Sequence, residues 1–305
     1  MRKTTAALSA LALSALALTG CSTAPGANSA GCVRSDSASL QMAVKATGDL
    51  GAPKVSLVSP APTTHVIYDD LIVGDGPAVR AADQDVVGTI TLLSGATGQV
   101  LDQGAGVWSQ KTLSSQFAGA GAVLDCATEG SRVAFAIPAD SLPEGLASQA
   151  GLGANDSVVG SIDIQEVLLP SAQGRDVFND AHGLPTVVRA PGGRPGIIVP
   201  LNPAPKKTVT QTLIAGDGAK VGDGLAMFQY TSVGWKDRTV KSTSWDTGVV
   251  FDKTTLPKQV MEQLAKATVG SQLLVVVPAD KGDKGDATVY VVDVLGIVPA
   301  ELVRG

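Results

Sequence analysis

The stretch LIVGDG at 71–76 returns as LIAGDG at 213–218. Each copy is followed by a Gly-Ser step and then by a run that ends in Pro-Ala-Asp. Gly130-Ser131 leads to AIPAD (136–140), and Gly270-Ser271 leads to VVPAD (276–280). In both copies the proline lies eight residues after that glycine. Asp83 and Asp223 open the run after each GDG, and Asp163 and Asp293 fall in the last strand-like run of each segment. Self-similarity at a period of roughly 140 residues marks a repeated structural unit.

Around these marks lie short runs rich in Val, Ile and Thr, bounded by Gly, Asp and Pro, which is the pattern of antiparallel strands. In the first segment they are 65–73, 86–93, 132–137 and 158–169; in the second they are 208–215, 225–233, 273–277 and 288–298. One helix is predicted, in the second segment. Pro257 suits its N1 position, with Thr254 or Thr255 as a candidate cap. Leu256, Val260, Met261 and Leu264 recur at helical spacing, with Glu262 and Lys266 on the other face. The first segment has less room between Phe117 and Gly130, so its helix is expected to be shortened or absent. Each unit is therefore α+β: a twisted antiparallel sheet packed on a short helix, reduced in the first copy. The expected organisation is a first domain at 51–171, a Pro/Gly-rich extended linker at 172–206 and a second domain at 207–305.

The N-terminus reads as a targeting segment. Arg2 and Lys3 precede an uncharged Ala/Leu/Ser run from Ala6 to Leu18, which is too short to span a bilayer. Leu18-Thr19-Gly20-Cys21 resembles a bacterial lipobox, which implies a signal peptide at 1–20, a lipidated Cys21 and a flexible tether at 21–50. Two acyl chains on one residue suffice for stable anchoring. The expected location is the extracytoplasmic face of a cell membrane. That compartment is oxidising, so Cys32 and Cys126 are candidates for a disulfide.

Several functions are excluded by composition. The formal net charge is −5, and −7 once Arg2 and Lys3 are removed, which argues against nucleic acid. GDG runs into another strand rather than a helix, so it reads as a turn and not as a phosphate loop. Asp280, Asp283 and Asp286 recur at three-residue spacing with lysines between them, unlike a calcium loop. With two histidines, His65 and His182, and no nucleophile elbow, the sequence offers neither a hydrolytic triad nor a zinc cluster. No cofactor is expected.

The order of elements resembles the FKBP-type peptidyl-prolyl cis-trans isomerase domain. In the second copy the resemblance is carried by Gly216-Asp217-Gly218, Gly222-Asp223, Met227-Phe228-Gln229-Tyr230-Thr231, Ser244-Trp245-Asp246, Val269-Gly270, Val277-Pro278 and Thr288-Val289-Tyr290-Val291-Val292-Asp293. The resemblance implies a prolyl isomerase (rotamase) that assists protein folding, acting on proline-containing segments of unfolded secreted or cell-envelope proteins. It implies Tyr230 and Tyr290 as catalytic residues. For substrate binding it implies Val240, Trp245, Leu256 and Val260 in the second copy and Leu101 and Asp102 in the first. Val240-Lys241 falls where the family has Phe-Asp, Leu256-Pro257 replaces a Val-Ile pair, and Val260 replaces the floor tryptophan. In the first copy Ile90 replaces the tyrosine and Gly160 the last-strand aromatic. With only 11 aromatic residues in 305, the alternative reading is a peptide-binding chaperone or adaptor of the same fold without catalysis.

Overall fold

The computed structural model describes residues 34, 37–143, 145–178, 181–279 and 285–298. Cys21 and Cys32 lie outside the described residues, as do Asp280 and Asp283. Among the described residues no helix is long and apolar enough to cross a membrane.

In chain order the first half holds α1 (Ala38–Ala43), β1 (Val44–Thr47), β2 (Lys54–Leu57), β3 (Ile67–Ile72), β4 (Val86–Ser94), β5 (Val100–Trp108), α2 (Gln110–Gln116), a 3-10 turn (Ala120–Leu124), β6 (Arg132–Pro138), α3 (Leu146–Gln149) and β7 (Ser157–Val167). The second half holds β8 (Arg175–Asp176), β9 (Thr186–Arg189), β10 (Pro195–Ile198), β11 (Val209–Ala215), β12 (Ala226–Gly234), β13 (Val240–Thr243), α4 (Lys258–Leu264), β14 (Gln272–Val277) and β15 (Thr288–Ile297).

The two main sheets share one strand order. The first runs β3-β6-β7-β4-β5 and the second β11-β14-β15-β12-β13, with β8 added at the β11 edge. Every pairing is antiparallel. Corresponding bulges fall at Val87/Gly88 and Met227/Phe228. Ile90 thus stands opposite Ile162 as Tyr230 stands opposite Val292.

The repeated marks pack against each other in the same way in both halves. The Gly74 N–H donates to Ser131 Oγ at 2.9 Å, and Thr128 Oγ1 donates to Gly74 O at 2.8 Å. In the second half the Gly216 N–H donates to Ser271 Oγ at 3.2 Å and Thr268 Oγ1 donates to Gly216 O at 2.8 Å. The strands on either side of GDG are not hydrogen-bonded neighbours. Glycine is required there by close approach rather than by a hairpin turn: a Cβ on Gly74 would lie 2.0 Å from Glu129 O, and one on Gly216 2.2 Å from Val269 O.

Alternation along the strands gives each sheet two buried faces. On the inner face of the second sheet, Phe228, Tyr230, Leu273, Val275 and Val292 pack on Val260 and Leu264 of α4. Its outer face (Val233, Leu274, Val276, Val289, Val291) is covered by Val199, with Leu184, Val187, Ile197 and Ala204 alongside. Those residues belong to the stretch expected to be an extended linker. Instead β9 and β10 form an antiparallel hairpin on the sheet. Apolar residues at alternate positions of that Pro-rich stretch have a face to bury, which overrides its composition. The tether is corrected likewise. Leu40 and Val44 are buried against Ala134, Ala136 and Val159 of the first sheet, and β1 pairs with β2.

Between the halves, Val87 and Leu168 pack with Met227 and Val298. The connection is hydrogen-bonded to the second half at three points: Leu169 N–H to Leu295 O, Ala172 N–H to the Asp293 carboxylate and Gln173 N–H to Gly270 O.

The helix expectation needs correcting, since the short helices α1 and α3 in the first half were not foreseen. The 3-10 turn at 120–124 does replace α4 in the first half, lying as far before Thr128 as α4 lies before Thr268. The first half also carries α2, unforeseen, which starts at a capping box in which Ser109 and Thr112 bond reciprocally. In α4, Pro257 is itself the N-cap rather than N1, so neither Thr254 nor Thr255 caps the helix, and the exposed i,i+4 pair is Lys258–Glu262 at 3.8 Å; Lys266 lies beyond the helix end.

Candidate functional site

The inner face of the second sheet brings several predicted residues together. Tyr230 in β12 is paired with Val292, and Tyr290 in β15 is paired with Ser232, so the two tyrosines are diagonal neighbours on one face. Tyr230 is 7% exposed. Its ring lies 6.2 Å from that of Phe228 at an interplanar angle of 53°, a tilted aromatic contact. Tyr290 is half-buried at the edge of the same cluster, with Val250, Met261 and Val277. Burial pushes its phenol pKa up, against a hydrogen bond with Thr288, and the nearby Tyr230 adds to the rise. Leu256 and Val260 are buried beneath, at the start of α4 and on its inward face.

Tyr230 Oη shares a hydrogen bond of 2.9 Å with Ser242 Oγ. Ser242 was not predicted, because the position of Asp102 was aligned with Lys241; both sheets carry the same bulge here, and Ser242 follows Tyr230 by twelve residues as Asp102 follows Ile90. In the first sheet Leu92 pairs with Asp102, and in the second the equivalent Ser232 pairs with Ser242. The position of Asp102 is therefore repeated by Ser242, one residue later than the alignment with Lys241. Val240 is 60% exposed and lies outside the tyrosine cluster.

Trp245 does not join the tyrosines. It lines a cleft between the two halves together with Gln229, and Gln229, next to Tyr230 in β12, points to the opposite face. Trp235 is buried in the outer-face cluster, with its indole N–H donating to Asn202 O at 2.9 Å.

The equivalent face of the first sheet is a cleft lined only by apolar side chains, among them Ile90, Leu113, Phe117, Phe135 and Ile137. It encloses about 10 Å³, space for roughly one water and far short of a proline ring. Leu101 and Asp102 are exposed on β5 and are not among its lining residues. The aromatic of this face has changed strands. Phe135 pairs with Gly160 where the second sheet pairs Val275 with Tyr290. A Cβ on Gly160 would lie 2.8 Å from Phe135 Cζ, so the Phe135 ring fills the space left by the glycine. Phe135 was not singled out in the sequence, since only the pairing shows it facing Gly160.

A second pair of equivalents is buried in each half. Arg132 forms a two-pronged ion pair with Asp163, at 2.6 and 2.8 Å, and donates to Gly48 O and Asp49 O. The corresponding residues of the second half are Gln272 and Asp293, joined by one hydrogen bond of 2.8 Å. Without a cationic partner of this kind, burial pushes the Asp293 carboxyl up to about 6, against hydrogen bonds from Ala172 N–H and Gln272. Burial also raises Asp85 to about 6 and Glu166 to about 7, the latter helped by Glu129. Among the described residues no group of His, Cys, Asp and Glu is placed to hold a metal. Asp286 accepts the Lys236 N–H. Cys126 is disulfide-bonded.

No protein-family model and no curated protein sequence matches the chain. Among solved structures it is similar to the three FKBP domains of wheat FKBP73, with a TM-score of 0.33 and 13% identity, over 76% of this chain and 94% of that one. It is also similar to a peptidyl-prolyl cis-trans isomerase from Pseudomonas syringae pv. tomato, with a TM-score of 0.27 and 19% identity, over 33% of this chain and 74% of that one.

Proposed function

We propose that the chain is a lipid-anchored, extracytoplasmic protein with two FKBP-like units, of which the second binds X-Pro segments of unfolded secreted proteins and isomerises them slowly. The observation that carries this reading is the Tyr230–Ser242 hydrogen bond, with Tyr290 one diagonal step away over an apolar floor at Leu256 and Val260. The sequence resemblance and the shared strand order of the two sheets support it.

Rotation about an X-Pro bond crosses a barrier of about 18–20 kcal/mol set by amide resonance. An apolar, aromatic-walled site lowers it by removing water from the amide and by holding the twisted form better than either planar one. That chemistry needs no metal and no nucleophile. Tyr290 offers a hydroxyl at the rim, and the Ser242 hydroxyl keeps Tyr230 oriented.

The first unit, with Ile90 and Gly160 at the tyrosine positions, is assigned a structural part. A second reading is peptide holding without turnover. It is favoured by the deep burial of Tyr230 and by a serine standing where the first sheet has Asp102.

A protease-free proline isomerisation assay on the full chain tests the proposal. The expected result is modest acceleration that falls in Tyr290→Ala and in Ser242→Ala. No acceleration at micromolar protein, with proline peptides still bound, would replace catalysis by holding.

A further inference from the structure

The cleft between the halves is lined by Asp83, Asp85 and Ser109 on one side and by Gln229 and Trp245 on the other. Its volume is about 320 Å³, within the roughly 300–1,000 Å³ common for ligand sites. It lies on the face of β12 opposite to Tyr230, so it is separate from the tyrosine site.

Two buried polar atoms here have no partner: Gln229 Oε1 and Trp245 Nε1. Gln229 is 8% exposed. Native proteins keep few such atoms, because each loses its hydration and receives nothing in return. The two are complementary in kind, since the indole N–H only donates and the amide oxygen only accepts. A secondary amide offers the reverse pair, a carbonyl and an N–H. Extended polypeptide repeats that pair along its length and brings apolar side chains that suit an indole face.

We propose that this cleft captures an extended segment of a partner polypeptide, with Trp245 Nε1 donating to a backbone carbonyl and Gln229 Oε1 accepting a backbone N–H. The recognition is of backbone and so does not require proline. Both atoms are closed to solvent, so entry requires the 245–248 turn to lift. That turn is held to the first half by Val249 N–H donating to the Asp85 carboxylate at 3.0 Å, and to the β9–β10 hairpin by the exposed Arg194–Asp246 ion pair at 2.8 Å. Asp85 faces Asp83 on its own segment, and Lys111 of α2 lines the same cleft.

The test is a ¹H–¹⁵N titration of the full chain with a blocked, proline-free peptide of alternating Val and Ser. The Trp245 indole resonance is assigned from Trp245→Phe. It is expected to move downfield and saturate, while the Trp235 indole, already bonded to Asn202, stays in place. Gln229→Met, which keeps the shape and removes the acceptor, is expected to weaken binding by about tenfold, the loss of one buried hydrogen bond. The Trp235 resonance reports that this variant is folded. Tyr290→Ala is expected to leave peptide binding unchanged, and Gln229→Met is expected to leave any isomerase rate unchanged, so the two sites fail independently. An unmoved Trp245 resonance overturns the proposal, as does equal affinity in Gln229→Met. A shift that depends on protein concentration without peptide also overturns it, by assigning the cleft to a second copy.

Discussion

Replacing Asp293 by Asn should stabilise the protein near neutral pH and leave it unchanged or slightly weaker in mild acid. Asp293 is 1% exposed in β15, and its carboxyl titrates near 6 instead of 3.8. At about 1.4 kcal/mol per pH unit, keeping it charged in the fold costs about 3 kcal/mol well above pH 6. The sign follows from the raised value. The native state holds the proton more tightly than the unfolded chain, so the favourable contribution is complete below 3.8 and is lost as pH rises through 6. Asn removes the charge and keeps both contacts. Its oxygen accepts the Ala172 N–H, and its amide donates to Gln272 once that side chain turns its oxygen inward. Allowing about 1 kcal/mol for the rearranged hydrogen bond, the net gain at about pH 7.5 is about 1–2 kcal/mol. Urea unfolding followed by fluorescence, with the buried Trp235 as the probe for the second half, reads it. Asp85 and Glu166 titrate in the same range, so the comparison is variant against native at each pH. A variant less stable than the native protein at pH 7.5, or an effect equal at pH 7.5 and pH 4, would refute the reasoning.

Other outcomes follow from the same contacts. Arg132→Ala strands a buried carboxylate and frees the Gly48–Asp49 turn, so urea unfolding should show a loss of about 3–5 kcal/mol. Gln229→Met removes an unpartnered buried oxygen and should raise stability by about 1 kcal/mol or more, seen as a higher urea midpoint. Gly160→Ala drives a Cβ into Thr91 O and the Phe135 ring, and should cost about 1–3 kcal/mol. Combined with Phe135→Val, it should show a coupling of about 0.5 kcal/mol or more in a double-mutant cycle. For the cysteines, non-reducing mass spectrometry should find Cys126 joined to Cys32, and two free thiols would exclude that bridge.

Much of the strand content was legible in the sequence because alternation and bounding Gly, Asp and Pro are local signals. The eight runs read from it all overlap strands of the two main sheets, within two residues at most of their ends. The edge strands β5, β13 and the two-residue β8 were missed. Much of β5, which holds Gly104, Ala105 and Gly106, is exposed, and β13 is four residues long, so neither shows an apolar period. The tyrosines were found because a strand carries them in a fixed relation to GDG. Ser242 was not, because a serine in a short polar strand carries no local signal, and only the pairing of β13 with β12 places it beside Tyr230.

The sequence by itself determined that the GDG, Gly-Ser and Pro-Ala-Asp marks recur, where the main strands lie, and which segment carries the tyrosine pair, since these depend on residue type and local spacing. The tertiary structure alone decided three things. The tether and linker fold onto the outer sheet faces, because only there do their alternate apolar residues find a surface to bury. Phe135 fills the place of a missing aromatic, because a cross-strand neighbour lies far away in sequence. Trp245 and Gln229 face a cleft between the halves, because the side of a strand on which a residue emerges has meaning only once both sheets are packed.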